Sequence, residues 1–563
     1  MRRCRFLGLV AQQRPLDPQL TDHVRHRLPI DTAFRLVRSS TRSAIFADAG
    51  GLRFDQGIVI GPVFRRGSMS ALDALSATDG ASIAASQGRF LIDAHWGGYV
   101  AFIDKDETFS VLRAPLGDLP CLIGRIEGAL VVASDVGLLK TAGVKTEVDF
   151  DALARHVAIP DLRRAETCLA GVDELQGGIC LTLSGDEPSD AEMWSPWTFA
   201  DAARQVYDRV EAARQVREAI LHSVTVSSAG VGPVVLKLSG GLDSSIVAAA
   251  LMAAGRETTA LNLVTDDRAG DERHYARIVA NACAIDLVER RRTIEAIDLA
   301  ASAAAHLPRP TARSFAQASA HHAEGLAHDI GGGAIMDGGG GDNVFCSLQS
   351  VRPVIDCLVA DRGWRSAITT ARSVATLAQV SQWTVLRRAL IGRARGVSSY
   401  AFPRDLRLLS PKAIKASHDA DEHRWLRAPS GALPGKAAHI GLIAAAQSVI
   451  EGFDPMDPVS ALSPLITQPV VEACLAVPSW LWFDDGRNRA IARQAFADLL
   501  PETIVRRRSK GGPDGFIAEL YRANRAQIRD WLLDGLLVAH DMLDRPALEA
   551  VLAEQGPVRR HDF

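Results

Sequence analysis

The residues best equipped for chemistry lie in one run, VVLKLSGGLDSSIVAAAL, at positions 234–251. An apolar segment ends at Leu238, Ser239 to Gly241 make a turn, and a helical pattern starts at about Asp243. Paired glycines, Gly240 and Gly241, let the backbone turn tightly and bring its N–H groups close to an anion. A helix starting there adds free amides and the positive end of its dipole. Ser239, Ser244 and Ser245 add hydroxyl donors, and the whole reads as a phosphate cradle. It is not GxxxxGK[ST], because no Lys follows the glycines, and it is not the dinucleotide GxGxxG spacing. Asp243 beside a phosphate requires a cation between them, and Mg²⁺ takes carboxylate and phosphate oxygens together. The second carboxylate is expected from AIMDGGGGDNVF (334–345), where Asp342 follows the glycines Gly338 to Gly341.

These groups need a rigid scaffold. VVLKL (234–238) and TALNLV (259–264) read as buried strands, each followed by a helix, SSIVAAALMAAG (244–255) and YARIVANACA (275–284). Strands alternating with helices predict a doubly wound parallel sheet. The first 190 or so residues differ. Short β-rich runs such as FDQGIVIGPVF (54–64) and ALVVASD (129–135), separated by turn residues, predict stacked antiparallel sheets. A boundary is expected near 195–205, giving domains 1–200 and 201–563, and after about residue 350 the pattern is mainly helical.

Composition narrows the class. The 563 residues are 47% hydrophobic and 23% charged, ordinary for a globular chain. A net charge of −3 lacks the basic footprint of nucleic-acid binding. Eight cysteines contain no C-x-x-C pair, so reduced and mostly buried thiols are expected. The N-terminal apolar run Phe6–Ala11 is too short for a signal peptide, and no stretch approaches the roughly 20 apolar residues of a membrane span. A soluble, cytoplasmic protein is the expectation.

SGGLDSS between strand and helix resembles the pyrophosphate loop of ATP pyrophosphatases, which split ATP between its α- and β-phosphates. Together with DGGGGDN (337–343), where relatives usually read SGEGADE, it resembles the synthetase domain of class B asparagine synthetases. GGYVAFID (97–104), RAPLGDLPC (113–121) and ASDVGLL (133–139) are similar to the glutaminase half of that family. The resemblance implies an α/β protein: an Ntn-hydrolase-like αββα sandwich, then an ATP-pyrophosphatase sheet with a helical C-terminal part. Its glutaminases use a cysteine at position 2. Here position 2 is Arg2 and Cys4 is internal, so the glutaminase is expected to be inactive. SPLITQPVVEACLAVPSWL (463–481) and RAIARQAFADLLPETIVRRRSKGG (489–512) resemble lasso peptide cyclases, and no E-x-R-x-PFLD run of asparagine synthetases is present.

That resemblance implies ATP-dependent macrolactam closure, in which a peptide's Asp or Glu side chain is adenylated and then attacked by its N-terminal amine. It implies ATP and Mg²⁺, with Ser239, Gly240, Gly241, Ser244 and Ser245 holding pyrophosphate and Asp243 and Asp342 the metal. Gly338 would lie along the nucleotide, Leu238 and Val264 would touch adenine, and Lys510 would stabilise the transition state. No general base is evident, since Gly339 has no side chain; Asp271 and Glu272 are candidate helpers or a plain acidic helix start. The implied partners are a precursor peptide, a leader peptidase and a small leader-binding protein. RRALIGRAR (387–395) is a basic stretch that fits a partner, an acidic leader or simply solvent. The rival readings are a small-molecule amide synthetase and a non-catalytic scaffold.

Overall fold

Strands in the N-terminal third are apolar on both faces because each face meets a different layer. The computed structural model describes residues 4–11, 15–28, 34–184, 188–265, 267, 270–302, 304–311, 316–360, 363–418, 423–452, 454–457, 459–508 and 511–553. One antiparallel sheet runs, edge to edge, through Asp173–Glu174, Leu122–Ile126, Ala129–Ala133, Phe6–Ala11, Ser43–Ala47 and Arg35–Ser39. The other runs through Pro188–Glu192, Ile179–Leu183, Thr108–Arg113, Val100–Lys105, Gly57–Ile60 and Leu52–Phe54. Side chains alternate along a strand. Phe6, Ile45 and Val132 therefore face Ile58, Phe102 and Val111 between the sheets, with the Phe6 and Phe102 rings edge to face at 5.6 Å. Leu9 and Val131 point outward against Val24 of helix Pro18–Arg27 and Leu138 of helix Val136–Ala142. On the opposite outer face, Ala101 and Leu112 meet Ile83 of Ala77–Ala85 and Leu91 of Arg89–Ala94. The layers are helix, sheet, sheet, helix, as expected.

Helix Arg209–Ser228 leads into the second sheet. Its five strands are all parallel, in the order Asp286–Arg291, Thr258–Val264, Val234–Lys237, Ala334–Met336, Ser460–Leu462. Val234 and Leu236 pack on one face with helix Leu242–Ala253, while Val235 packs on the other with helix Gln317–Asp329. Helices on both faces make the sheet doubly wound. Chain order is 3-2-1-4-5, so the direction of winding reverses between Val234–Lys237 and Ala334–Met336. The loops leaving the carboxyl ends of those two strands diverge and open a crevice, where such sheets bind ligands. Both loops singled out by the sequence lie there. The chain after residue 350 is largely helical, with the short edge strand Ser460–Leu462 as its contribution to the sheet.

The two sheet systems are joined by buried charge. Glu174 accepts from Arg113 (3.1 Å), Arg163 (2.7 Å) and Arg309 (2.5 Å), and Arg113 also reaches Glu451 at 2.5 Å. Burial opposes ionisation of Glu174, but the three guanidinium groups outweigh it and hold its carboxyl below the usual range.

Candidate active site

Gly240 sits at φ +69, and a Cβ there would lie 2.4 Å from the backbone carbon of Tyr275, so only glycine fits. Gly241 has an ordinary φ of −72 and serves as N-cap of helix Leu242–Ala253. No side chain caps that helix, so its first amides face the crevice. The Gly241 N–H donates to Ser239 Oγ at 3.2 Å, and the Ser239 and Ser244 hydroxyls are 3.2 Å apart. Ser245 is fully buried and donates to the Gly241 carbonyl at 2.7 Å, so it braces the turn and does not line the cleft.

Two of the four glycines of the second loop, Gly338 and Gly341, are explained by contact with the first. A Cβ on Gly338 would lie 2.5 Å from Ser244 N, and one on Gly341 would lie 2.5 Å from Asp243 Cβ. Asp337 Oδ1 accepts from Gly339 N–H at 2.9 Å and from Ser463 Oγ at 2.8 Å, which closes the turn. Helix Gly341–Val344 then presents Asp342.

Asp243 and Asp342, far apart in sequence, converge on one atom. Arg489 Nη1 is 3.1 Å from each Asp243 carboxylate oxygen and 2.6 Å from Asp342 Oδ1. Two carboxylates directed at one cationic point are a donor set that suits Mg²⁺, which favours a few carboxylates with phosphate oxygens. Arg489 holds φ +56, a left-handed conformation uncommon for a non-glycine residue and of the kind that clusters at functional sites.

A cleft of about 700 Å³ lies between the loops, lined by Lys237, Ser239, Gly241, Asp243, Ser244, Gly338 and the arginines Arg489, Arg493 and Arg507. Burial, then the neighbouring Arg489 and Arg487, push the Arg493 guanidinium down to about 10. Arg507 lies 3.7 Å over the Tyr275 ring and donates to Gly240 O (3.0 Å) and Glu272 Oε1 (2.7 Å). Glu272 also accepts from Gly511 N–H at 3.1 Å, so it holds Arg507 and Gly511 together beside the phosphate loop. Asp271 pairs with Arg273 at 2.6 Å. Neither acid is placed as a base. Lys510 lies outside the described residues.

A second cleft of about 580 Å³ shares Lys237 and Ser239 with the first and is lined by Leu238, Leu261, Asn262, Leu263 and Thr265. Leu238 is where adenine contact was expected; Val264 is not among the lining residues. Asn262 Nδ2 donates to Leu238 O at 2.8 Å, and its buried Oδ1 has no hydrogen-bond partner among the described residues. Sequence reasoning missed Lys237, Arg489 and Arg493 and left Arg507 unassigned. The i,i+4 spacing of Arg489 and Arg493 beside a short helix was the available signal. Trp482 is wholly buried and Trp480 nearly so, which places both in the core. None of the eight cysteines is in a disulfide. Burial, then Asp48 and Asp118, push the Cys4 thiol up to about 12, so it lacks the thiolate of a nucleophile.

Residues 215–430 and 458–562, more than half of the chain, match the family described as asparagine synthase. The chain belongs to that family, whose general chemistry is ATP-dependent amide bond formation. No curated protein matches it. Among solved structures it is similar to a glutamine phosphoribosylpyrophosphate amidotransferase from B. subtilis complexed with ADP and GMP. That match has 12% identity and a TM-score of 0.24, and covers 59% of this chain and 90% of that one. A structure described as the allosteric regulatory enzyme of purine biosynthesis matches at the same identity, TM-score and share of this chain, and at 89% of its own. At that TM-score the fold rests on the topology above. Among the described residues, no helix is long and apolar enough to cross a membrane.

Proposed function

We propose that the chain closes a macrolactam in a ribosomally made peptide, as lasso peptide cyclases do. The observation that carries this reading is the convergence of Asp243 and Asp342 beside an arginine-lined cleft at the strand ends. A peptide Asp or Glu carboxylate attacks the α-phosphorus of ATP. The bond to the β-phosphate's bridging oxygen breaks, giving an acyl-adenylate and pyrophosphate. Ser239, Ser244 and the first amides of helix Leu242–Ala253 hold the departing pyrophosphate. Asp243 and Asp342 would hold Mg²⁺, which when bound neutralises that leaving group. Lys237, Arg489, Arg493 and Arg507 supply further positive charge, and Lys510 takes the role that the resemblance implies.

The peptide's α-amine then attacks the acyl carbon, the bond to AMP breaks, and the amine loses a proton. Gly339 offers no side chain to take it. An α-amine with a pKa near 7.7–8.0 is already partly neutral at pH 7. Holding it against the adenylate then contributes more than proton removal. The protonated Cys4 thiol supports an amine drawn from the substrate itself.

The reading calls for a precursor peptide, a leader peptidase and a leader-binding protein. A helical hairpin, Gly363–Ala378 and Gln382–Ala394, suits an acidic protein partner. Residues 363–395 carry six arginines, all exposed, and no Asp or Glu. Among them stand Trp364, at 59% exposure, and Trp383, at 81%. The test is mass spectrometry of a linear core peptide with this protein, ATP and Mg²⁺. Loss of one water with AMP formed is expected. AMP formation with a small amino acid and an unchanged peptide would transfer the reading to a small-molecule synthetase.

A further inference from the structure

Gly339 has no side chain to take the proton of an attacking amine, yet its backbone does not demand glycine. Unlike Gly340, at φ +77, it lies outside the left-handed region. Space excludes the side chain instead. A Cβ at Gly339 would lie 2.7 Å from Asp337 Oδ1 and 2.9 Å from Ser463 Oγ. The Asp337 carboxylate therefore fills the position from which a side chain at 339 would start.

Asp337 directly follows strand Ala334–Met336 and lines the phosphate cleft together with Gly338 and Gly339. The next residue, Gly338, lies against Ser244 of the phosphate loop. Both hydrogen bonds to Asp337, from Gly339 N–H at 2.9 Å and Ser463 Oγ at 2.8 Å, end on Oδ1. Oδ1 is committed to the turn, and Oδ2 is the oxygen left for a ligand. The residue is half-buried, and Oδ2 is not among the partnerless polar atoms sealed from solvent. Asp243 and Asp342 share Arg489, whereas Asp337 forms no ion pair among the described residues. A carboxylate facing bound phosphates is repelled unless a cation lies between them. The metal falls to Asp243 and Asp342, so the cation left for Asp337 is the substrate's own amine.

We infer that Asp337 binds the α-amine of the substrate and accepts its proton in the second step. The amine nitrogen bonds to the acyl carbon. The acyl C–O bond to AMP breaks, its electron pair goes to the phosphate oxygen, and the nitrogen's proton passes to Asp337 Oδ2 and then to water. This rests on the reading of the cleft as an acyl-activating site and adds the residue that receives the nucleophile.

The test separates the two steps in the full chain with MgATP and the linear core peptide. Peptide-dependent ATP–pyrophosphate exchange reads adenylation, and mass spectrometry reads ring closure. Hydroxylamine, a small amine neutral at pH 7, traps the acyl-adenylate without a base. Asp337→Asn keeps an Oδ1 acceptor for the turn and loses only the carboxylate charge. Asp337→Ser can close the turn with its hydroxyl. Each should slow ring closure about a hundredfold while exchange and hydroxamate formation stay within threefold of wild type. If one variant does not fold, the other decides. Undiminished ring closure in a folded variant overturns the assignment and leaves the cleft reading standing. Exchange lost in parallel with closure also overturns it, because Asp337 would then serve ATP or the metal. A folded wild type without exchange or hydroxamate overturns the cleft reading, and the assignment falls with it.

Discussion

Two clusters of arginine and carboxylate sit in this molecule, and they do different work. At the domain junction, Glu174 receives three guanidinium groups, and every side chain in the cluster is under 10% exposed. In the cleft, Arg489 bridges Asp243 and Asp342, whose side chains are 10% and 37% exposed, and Arg493 and Arg507 open onto about 700 Å³ of space. The first cluster is closed and supplies its own partners. The second leaves cations facing a volume that an anion can enter. A buried ion pair by itself is weak evidence of stability or of function. What separates the two is whether the network ends in protein or in a cleft.

Breaking the cleft first should give the largest effect. Asp243→Asn is expected to lower AMP formation by about a thousandfold, equivalent to ~4 kcal/mol of transition-state stabilisation, with a small change in Tm. A steady-state assay beside a thermal melt checks this, and unchanged turnover would sink the assignment. Glu174→Gln should do the reverse. Leaving three buried guanidinium groups around a neutral amide should cost about 3–5 kcal/mol of stability, read by urea denaturation, while MgATP affinity in the fraction that stays folded is retained.

Gly338→Ala tests the contact between the loops. The added methyl meets Ser244 N at 2.5 Å, so one loop must move. A misplacement of that order should reduce kcat by about a hundredfold.

Acid should separate the clusters further. Burial, then the nearby Arg309, Arg164 and Arg163, hold His156 at about 4, below its unfolded value of about 6.5. Between those values the unfolded chain takes up a proton that the folded chain refuses, so stability falls as pH drops below 6.5. From pH 7 to 5 this amounts to about 2 kcal/mol, and a His156→Gln variant should lose that part of the slope in paired urea melts. Glu174, held below the usual carboxylate range, contributes stability above about pH 4.5 that is lost as pH falls through its folded value. Tyr275→Leu is the mildest test. It removes the ring under Arg507 and should lower kcat/KM about fivefold, the ~1 kcal/mol of a cation–π contact. No change would show Arg507 held by Glu272 alone.

Much of this was legible in the residues. Alternation and apolar runs identified the sandwich strands and the first two strands of the parallel sheet, because burial on both faces demands continuous apolar sequence. Ser460–Leu462 was not legible, since three residues carry no period and become a strand only by pairing with Ala334–Met336. Ser239, Gly240, Asp243 and Ser244 were legible because the chemistry lies in one local turn. Arg489 and Arg493 were not, since a charged pair near a helix reads as a solvated face until the fold buries it.

The sequence by itself determined the phosphate loop, because glycine conformation and helix start are decided within a few residues. It also determined the family to which the chain belongs. Only the tertiary structure decided that Gly338 and Gly341 exist to let one loop lie against another. It alone brought Asp243, Asp342 and Arg489 to one point. Those facts depend on distances between segments far apart in the chain, 246 residues for Asp243 and Arg489, and strand order, which local pattern does not specify, sets such distances.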